Sequence, residues 1–374
     1  MSNIEKLLEG VEVEWKTLGE VTNVLRGRRL TREQLSVDMK FPVFHGGLEP
    51  LGYYGKNNRP ANSVMIINVG ASAGTVGYSD VDFWSSDGCY CLEHSELLNN
   101  KFLYYYLIGK QNFLQSRVRK AGIPTLDGLV VEKLQIAIPP LSIQNEIVRI
   151  LDSFTELTAE LTAELTAELT ARKQQYNYYR DKLLRFEDGE VELVALQYLA
   201  ENLDSMRKPV TSGLRDAGDI PYYGASGIVD YVKDYIFDGE FLLISEDGAN
   251  LIARNTPIAF SVSGKSWVNN HAHVLKFNTY AERRFVEYYL NSIDLTSFIS
   301  GAAQPKLNQK NLNSIKIPNP SPKEQVRIVS ILDTFDTLTN SITEGLPKEI
   351  SLRKQQYEYY RDKLLTFPKN NIEL

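Results

Sequence analysis

Cysteine is nearly absent. Cys89 and Cys91 are the only two in 374 residues, too few for a disulfide framework, which points to a reducing compartment. Histidine is scarce as well, with four in all. Cys89, Cys91 and His94 lack an evident fourth ligand for zinc, and alternate cysteines on a short strand face one core side; His271 and His273 read the same way. Long apolar runs are missing too. Nothing approaches the ~18 to 20 residues of a membrane span, and the first twenty residues lack a signal-peptide layout, so the expectation is a soluble, cytoplasmic protein. Catalytic motifs are also lacking: no Gly-x-Ser-x-Gly elbow, no His-Glu-x-x-His helix, no Asn-Pro-Pro-Tyr/Phe loop. GASAGTVG at Gly70–Gly77 lacks the Gly-Lys-Ser/Thr ending of a phosphate loop, and SGKS at Ser263–Ser266 lacks its first glycine. The chain is therefore expected to be no enzyme and to hold no cofactor or metal. An excess of positive charge is absent as well. Forty-one basic against 47 acidic residues argues against a free-standing basic nucleic-acid binder, because phosphate neutralisation is the main sequence-independent source of DNA affinity. The acid is local: Leu141–Val191 holds 6 basic and 10 acidic residues, which leaves the long segments on either side near neutral.

What is present is one unit written twice. At a shift of 181 residues, ARKQQYNYYRDKLLRF (Ala171–Phe186) lies on LRKQQYEYYRDKLLTF (Leu352–Phe367) with 13 of 16 positions identical, and QNEIVRILDSF (Gln144–Phe154) lies on QVRIVSILDTF (Gln325–Phe335) with 7 of 11 identical. Chance does not do that. Upstream the match is patchier: Phe102–Leu107 answers Phe285–Leu290, and Pro124-Thr125-Leu126 answers Pro305-Lys306-Leu307. Each copy has a diverged front part and a near-identical back part.

The back part predicts a long helix, since Ile147, Ile150, Leu151, Phe154, Leu157 and Leu161, then Tyr176, Tyr179, Leu183 and Phe186, recur at spacings of three and four. Ser142 is its expected N-cap, after Pro139-Pro140. At ~1.5 Å per residue such a helix would reach on the order of 65 Å, and its single apolar stripe calls for a partner helix, which the other copy supplies. Thr158–Leu169 is TAEL three times over, built of strong helix formers that continue the helix. In the second copy Gly345 and Pro347 are expected to kink or interrupt it.

The front parts carry short β-type runs at Val64–Val69, Leu134–Ile138, Phe241–Ile244 and Val274–Phe277, interleaved with helical Phe102–Leu107 and Phe285–Leu290, so each reads as a compact α+β domain. They also carry polar and aromatic clusters of the types that grip phosphates and read base edges. In the first these are Arg26, Arg28, Arg29, Arg32, His45, Tyr53, Lys56, Asn57, Arg59, Lys120. In the second they are Arg207, Lys208, Arg215, Tyr223, Arg254, Lys265, Asn270, His271, Lys306. Any one of them alone is more simply a solvated loop residue; the clusters carry the weight.

This layout, two diverged domains each followed by a near-identical helix carrying YxYYRDKLL, with TAEL repeats in the first helix, resembles the DNA specificity subunit of type I restriction-modification enzymes. The resemblance implies target recognition domains at 1–140 and 188–319, spacer helices at 141–187 and 320–367 that pair antiparallel as a coiled coil, and a tail at 368–374. It implies that each front domain reads one half of a split, asymmetric site in double-stranded DNA. It further implies that two methyltransferase subunits carrying S-adenosylmethionine, and an ATP-driven restriction and translocation subunit, supply the chemistry. By the family pattern Gly70-Ala71-Ser72 and Gly248-Ala249-Asn250 are equivalent turns facing the groove, and 121–125 and 302–306, with Thr125, Gln304 and Lys306, are equivalent loops near DNA. Tyr176, Tyr179, Tyr357 and Tyr360 are candidate partner contacts, aromatic residues being enriched at interfaces; the alternative is that they pack within the helix pair. The competing reading is a coiled-coil scaffold whose front domains bind protein.

Overall fold

The computed structural model describes residues 3–301, 304–341 and 343–368. The chain forms two compact units, residues 1–164 with 350–374, and residues 165–349. Ala302 and Ala303 of the second expected loop, and all of the tail but Pro368, lie outside the described residues.

In the first unit a four-stranded sheet runs in the order Val24–Arg26, Cys89–Leu92, Ser63–Ile67, Val76–Ser79, and a three-stranded one in the order Gly52–Tyr54, Phe41–Phe44, Trp84–Ser85. A third pairing, Glu14–Thr17 with Gln135–Ile138, brings the ends of the front part together. Ser63–Ile67 is buried at every position, as expected for a central strand of bulky aliphatics. Helix Asn100–Ile108 starts where the Asn99 side chain accepts from the Lys101 and Phe102 amides, and it buries Phe102, Leu103, Tyr105, Tyr106 and Leu107. Cys89 and Cys91 both point into a cluster with Phe44, Met65, Ile67 and Phe83.

The second unit repeats this plan with one change. Its six-stranded sheet runs Glu201–Asn202, Ala272–Lys276, Phe237–Ser245, Ala259–Val268, Ala217–Gly224, Gly227–Val232. The ten-residue strand Ala259–Val268 pairs antiparallel with Phe237–Ser245 and parallel with Ala217–Gly224. It does alone what Val76–Ser79 and Trp84–Ser85 do separately in the first unit. There Asp80–Phe83 interrupts the strand, with the Asp82 carboxylate accepting from the Ala61 amide. SGKS at Ser263–Ser266 is mid-strand and no loop, while GASAGTVG connects the antiparallel strands Ser63–Ile67 and Val76–Ser79.

Helix Leu141–Leu183 is unbroken through the TAEL segment. Its counterpart is two helices, Pro322–Asn340 and Gly345–Leu365; the break falls just before Gly345, whose φ is +77°, and Pro347 sits in the new first turn, where its missing N–H costs nothing. The expected cap at Ser142 is corrected. The helix begins at Leu141, and the Pro140 carbonyl accepts from the Ile143 and Gln144 amides, so proline occupies the capping position and Ser142 lies within the first turn. In the second copy the equivalent position is Ser321, whose hydroxyl accepts from the Glu324 amide.

Within each unit, helices from the two copies pack antiparallel. In the first, Leu364, Leu365 and Phe367 join the core of Ile147, Val148 and Leu151, Phe154 meets Tyr360 at 5.8 Å between ring centres, and Thr155 Oγ1 lies 3.1 Å from Tyr357 Oη. In the second, Leu184 joins Ile328, Val329 and Leu332, and Phe335 stacks on Tyr179 at 5.7 Å. The same aromatic pair is thus used twice with its two members exchanged, the signature of a self-complementary interface.

A candidate nucleic-acid interface

Each front domain presents a turn tied to a loop by one backbone hydrogen bond. In the first unit the Gly70 amide donates to the Pro124 carbonyl at 2.9 Å; in the second the Gly248 amide donates to the Pro305 carbonyl at 3.1 Å. Both glycines have positive φ, +92° and +105°, which only glycine adopts without strain. Flanking bridges match as well: Val69 with Thr125 and Arg119 with Thr125, against Asp247 with Lys306 and Ser300 with Lys306. The frame is thus shared, while the side chains on it differ. Ser72 and Thr125 ride on the first, Asn250, Gln304 and Lys306 on the second. Asn250 is engaged with Thr256, accepting from its amide and donating to its carbonyl.

Behind the frame the two domains differ sharply. In strand register Tyr90 stands opposite Ile66 and His273 opposite Ile244, equivalent places. Tyr90 donates its hydroxyl to the Leu126 carbonyl at 3.4 Å. His273, fully buried, faces the Leu307 carbonyl with Nε2 at 2.7 Å and the Asp204 carboxylate with Nδ1 at 2.6 Å. Arg207 bridges Asp204 and Glu246 at 3.4 and 2.6 Å, and Lys306 reaches Glu246 at 3.0 Å. Burial works against the charge on Asp204 and Glu246. The His273 bond and charge outweigh it for Asp204, and bonds from Arg207 and Lys306 outweigh it for Glu246, holding both carboxyls below their ordinary values of 3.8 and 4.5. Both ring nitrogens of His273 thus face acceptors, the Asp204 carboxylate and the Leu307 carbonyl.

The basic residues fall into two groups. Several are committed to the protein itself: Arg207 as above, Arg215 against Asp230 at 2.8 Å and over the Tyr222 ring at 4.2 Å, Arg254 on the Ile293 carbonyl, and Arg59 on the Asn58 and Arg26 carbonyls. Arg26 reaches the Asp87 carbonyl at 3.4 Å, Lys265 lies over Tyr235, and His271 pairs with Asp247 at 2.9 Å. His45 is half-buried beside Asp87. Tyr223 packs on Phe260. Arg28, Arg29, Arg32, Lys56, Lys120 and Lys208 are exposed. Tyr53, Asn57, Asn270 and Gln304 are exposed too.

Of the four tyrosines expected to meet a partner, Tyr176 and Tyr179 pack on Phe335, Tyr360 on Phe154, and Tyr357 bonds Thr155. Burial pushes the Tyr176 hydroxyl up to about 12. Their neighbours are more open: Tyr178 and Tyr359, 181 apart, are each 61% exposed, against 37% for Tyr179. A helix-surface reading of YxYYRDKLL finds them only once the buried stripe is known. Also illegible from sequence spacing alone is the anchor of each front domain to its helix, Tyr105 and Lys101 on Asp152 and, equivalently, Tyr288 and Arg284 on Asp333.

Among the described residues no helix is long and apolar enough to cross a membrane, and no group of three or more histidine, cysteine or acidic side chains could hold a metal.

The family model described as the type I restriction modification DNA specificity domain matches the chain twice, at residues 10–171 and 189–352. The specificity subunit of the EcoR124I/EcoR124II type I restriction enzyme of Escherichia coli is 35% identical over 412 residues, spanning 99% of this chain and 98% of that one. A solved structure of a type I restriction-modification S subunit from M. genitalium superposes over 99% of this chain and 100% of that one, with a TM-score of 0.53 and 20% identity. Another, from a study of complex assembly and conformational transition in the type I system, covers 96% and 98% with a TM-score of 0.64 and 16% identity. The chain therefore belongs to the type I restriction-modification specificity subunits, the non-catalytic components that give such a complex its DNA sequence.

Proposed function

We propose that residues 1–140 and 188–319 are two target recognition domains that read different halves of one split DNA site, and that the helices at 141–187 and 320–367 fix the gap between them. The observation that carries this reading is the turn-to-loop tie, Gly70 to Pro124 and Gly248 to Pro305. Base readout depends on side-chain identity at fixed positions, and a constant frame bearing different side chains is what two readers of different sequences need. Two methyltransferase subunits bind the helical regions, with Tyr178 and Tyr359 as paired contacts, and a restriction subunit acts on the same cytoplasmic complex. The near-neutral front domains fit a complex in which partners supply part of the phosphate contact.

The test is an exchange. Replacing Met1–Pro140 with the front domain of a relative should change one half-site in methylation maps and leave the other intact, because each domain has its own core. Alteration of both halves would overturn independent reading, and a complex that shows no sequence preference but binds protein partners would favour the scaffold.

A further inference from the structure

In each front domain one basic residue is pinned by its backbone while its side chain is left open. The Arg28 amide donates to the Ser85 carbonyl at 2.9 Å, and the Trp84 indole N–H donates to the Arg28 carbonyl at 2.7 Å. The Lys208 amide donates to the Val268 carbonyl at 3.3 Å, and the Trp267 indole N–H donates to the Lys208 carbonyl at 2.7 Å. Trp84 and Trp267 hold the same register, each parallel to the strand beside it: Val43 with Trp84, Tyr222 with Trp267. Arg28 and Lys208 are therefore equivalent positions.

The tie is tight as well. A Cβ on Gly27 would lie 2.2 Å from both the Ser85 and Ser86 carbonyl oxygens, so the backbone entering Arg28 runs against them where no side chain fits. Both side chains are exposed, and among the described residues neither has a carboxylate partner. Next to Lys208, by contrast, Arg207 is taken up by Asp204, Glu246 and the Ala272 carbonyl. A cation whose main chain is held at both N–H and C=O, and whose head is uncompensated, is a positioned charge.

Resting on the reading of the front domains as DNA readers, we infer that Arg28 and Lys208 are equivalent phosphate anchors, one per half-site, oriented by Trp84 and Trp267. A residue that reads bases changes with the target; one that grips phosphate need only stay basic, and this position is basic in both halves while the surroundings have diverged. Phosphate contacts orient a reader without specifying sequence.

The experiment uses the assembled complex of specificity and methyltransferase subunits, with duplexes carrying and lacking the target, titrated over a range of salt. Arg28→Gln and Lys208→Gln should each weaken binding to both duplexes by a similar factor and flatten the slope of log affinity against log salt by about 0.9, with the methylated sequence unchanged. Arg28→Lys and Lys208→Arg should restore the slope. Trp84→Phe and Trp267→Phe, which delete the indole N–H, should weaken binding to both duplexes in the same direction by a smaller factor. A relaxed base preference at one position would make these residues base readers, and an unchanged salt slope would remove them from the DNA contact; either result overturns the anchor. Failure of the wider reading is distinguishable, because the unsubstituted complex would then show no preference for any duplex.

Discussion

The two front domains solve one structural problem with different chemistry. Each must hold the loop that follows its helical segment against the turn between its central strands. The first does so with a neutral tyrosine, Tyr90 to the Leu126 carbonyl; the second with a charged network of Asp204, Arg207, Glu246 and His273 around the Leu307 carbonyl, closed at the surface by the exposed Lys306. The backbone geometry survives this exchange: Leu126 and Leu307 both donate their amides at 2.8 Å, to Asn68 and Glu246 carbonyls. What was kept between the copies is a main-chain frame. What diverged is everything that can be replaced without moving it, and that is the freedom a duplicated reader needs to acquire a second target.

The back parts show the opposite balance, near-identical in sequence yet unequal in continuity, one helix unbroken and the other split before Gly345. The largest expected effect lies here. Four helical residues add ~6 Å and turn the chain a net ~40° beyond a full turn, close to the ~3.4 Å and ~35° of one base pair in twist if not in rise. Deleting Thr166–Leu169 should shorten the preferred gap between half-sites by one base pair, the excess rise being taken up in the broken partner helix. Deleting only two of these residues rotates the downstream half of the helix by ~200° and should abolish methylation altogether. Methylation of duplexes that differ only in gap length separates these outcomes, and persistence of the original gap after the four-residue deletion would mean the helix is no ruler.

Next in size is the contrast between charged and neutral supports. Glu246→Ala removes the nearer of the two carboxylates on Arg207 and the one on Lys306, and breaking such a buried pair costs about 3–5 kcal/mol. Tyr90→Phe removes one long hydrogen bond, worth about 1 kcal/mol at most. Urea unfolding followed through Trp267 for the first variant and Trp84 for the second reads the unit each belongs to. Equal losses would mean that the network is no more critical than the tyrosine.

How much of this the sequence carried depends on how local each signal was. The long helices were legible because their apolar spacing and their duplication lie in contiguous residues, and so were the strands at Ser63–Ile67 and Phe237–Ser245. The tie of Trp84 to Arg28 joins residues 56 apart through a short parallel pairing that leaves no periodic trace. The equivalence of Tyr90 and His273 is hidden because the copies slip by a few residues between the strands and the helices. Ser142 was misjudged because a serine in the first turn of a helix looks like a cap unless the proline before it is known to take that place.

A smaller difference should appear in acid. Asp204 and Glu246 are held below their ordinary values of 3.8 and 4.5, so the stability they lend is fully present above those values and is lost as pH falls through the depressed folded ones. Once the pH has fallen through those depressed values, Arg207 and Lys306 face one another without their counter-charges. The second unit should therefore loosen before the first as pH falls from about 5 toward about 3, visible as earlier loss of amide protection at Leu307 than at Leu126 in hydrogen exchange. Simultaneous loss at both loops would show that the network does not govern acid stability.

The smallest effect separates the two helix starts. Ser321 caps its helix through a side-chain oxygen on the Glu324 amide, whereas Pro140 holds the equivalent place with no side-chain acceptor. Ser321→Ala should cost about 1 kcal/mol, the usual worth of such a cap. Pro140→Ser should change stability by less, because the new cap is offset by about 0.4–1 kcal/mol of unfolded-state freedom that proline had removed. Denaturant midpoints of the two variants, at unchanged slope, measure both. If Pro140→Ser proved as costly as Ser321→Ala, the proline would be the stronger starter, and the first copy would have replaced a hydrogen-bonded cap with a rigid backbone rather than simply losing one.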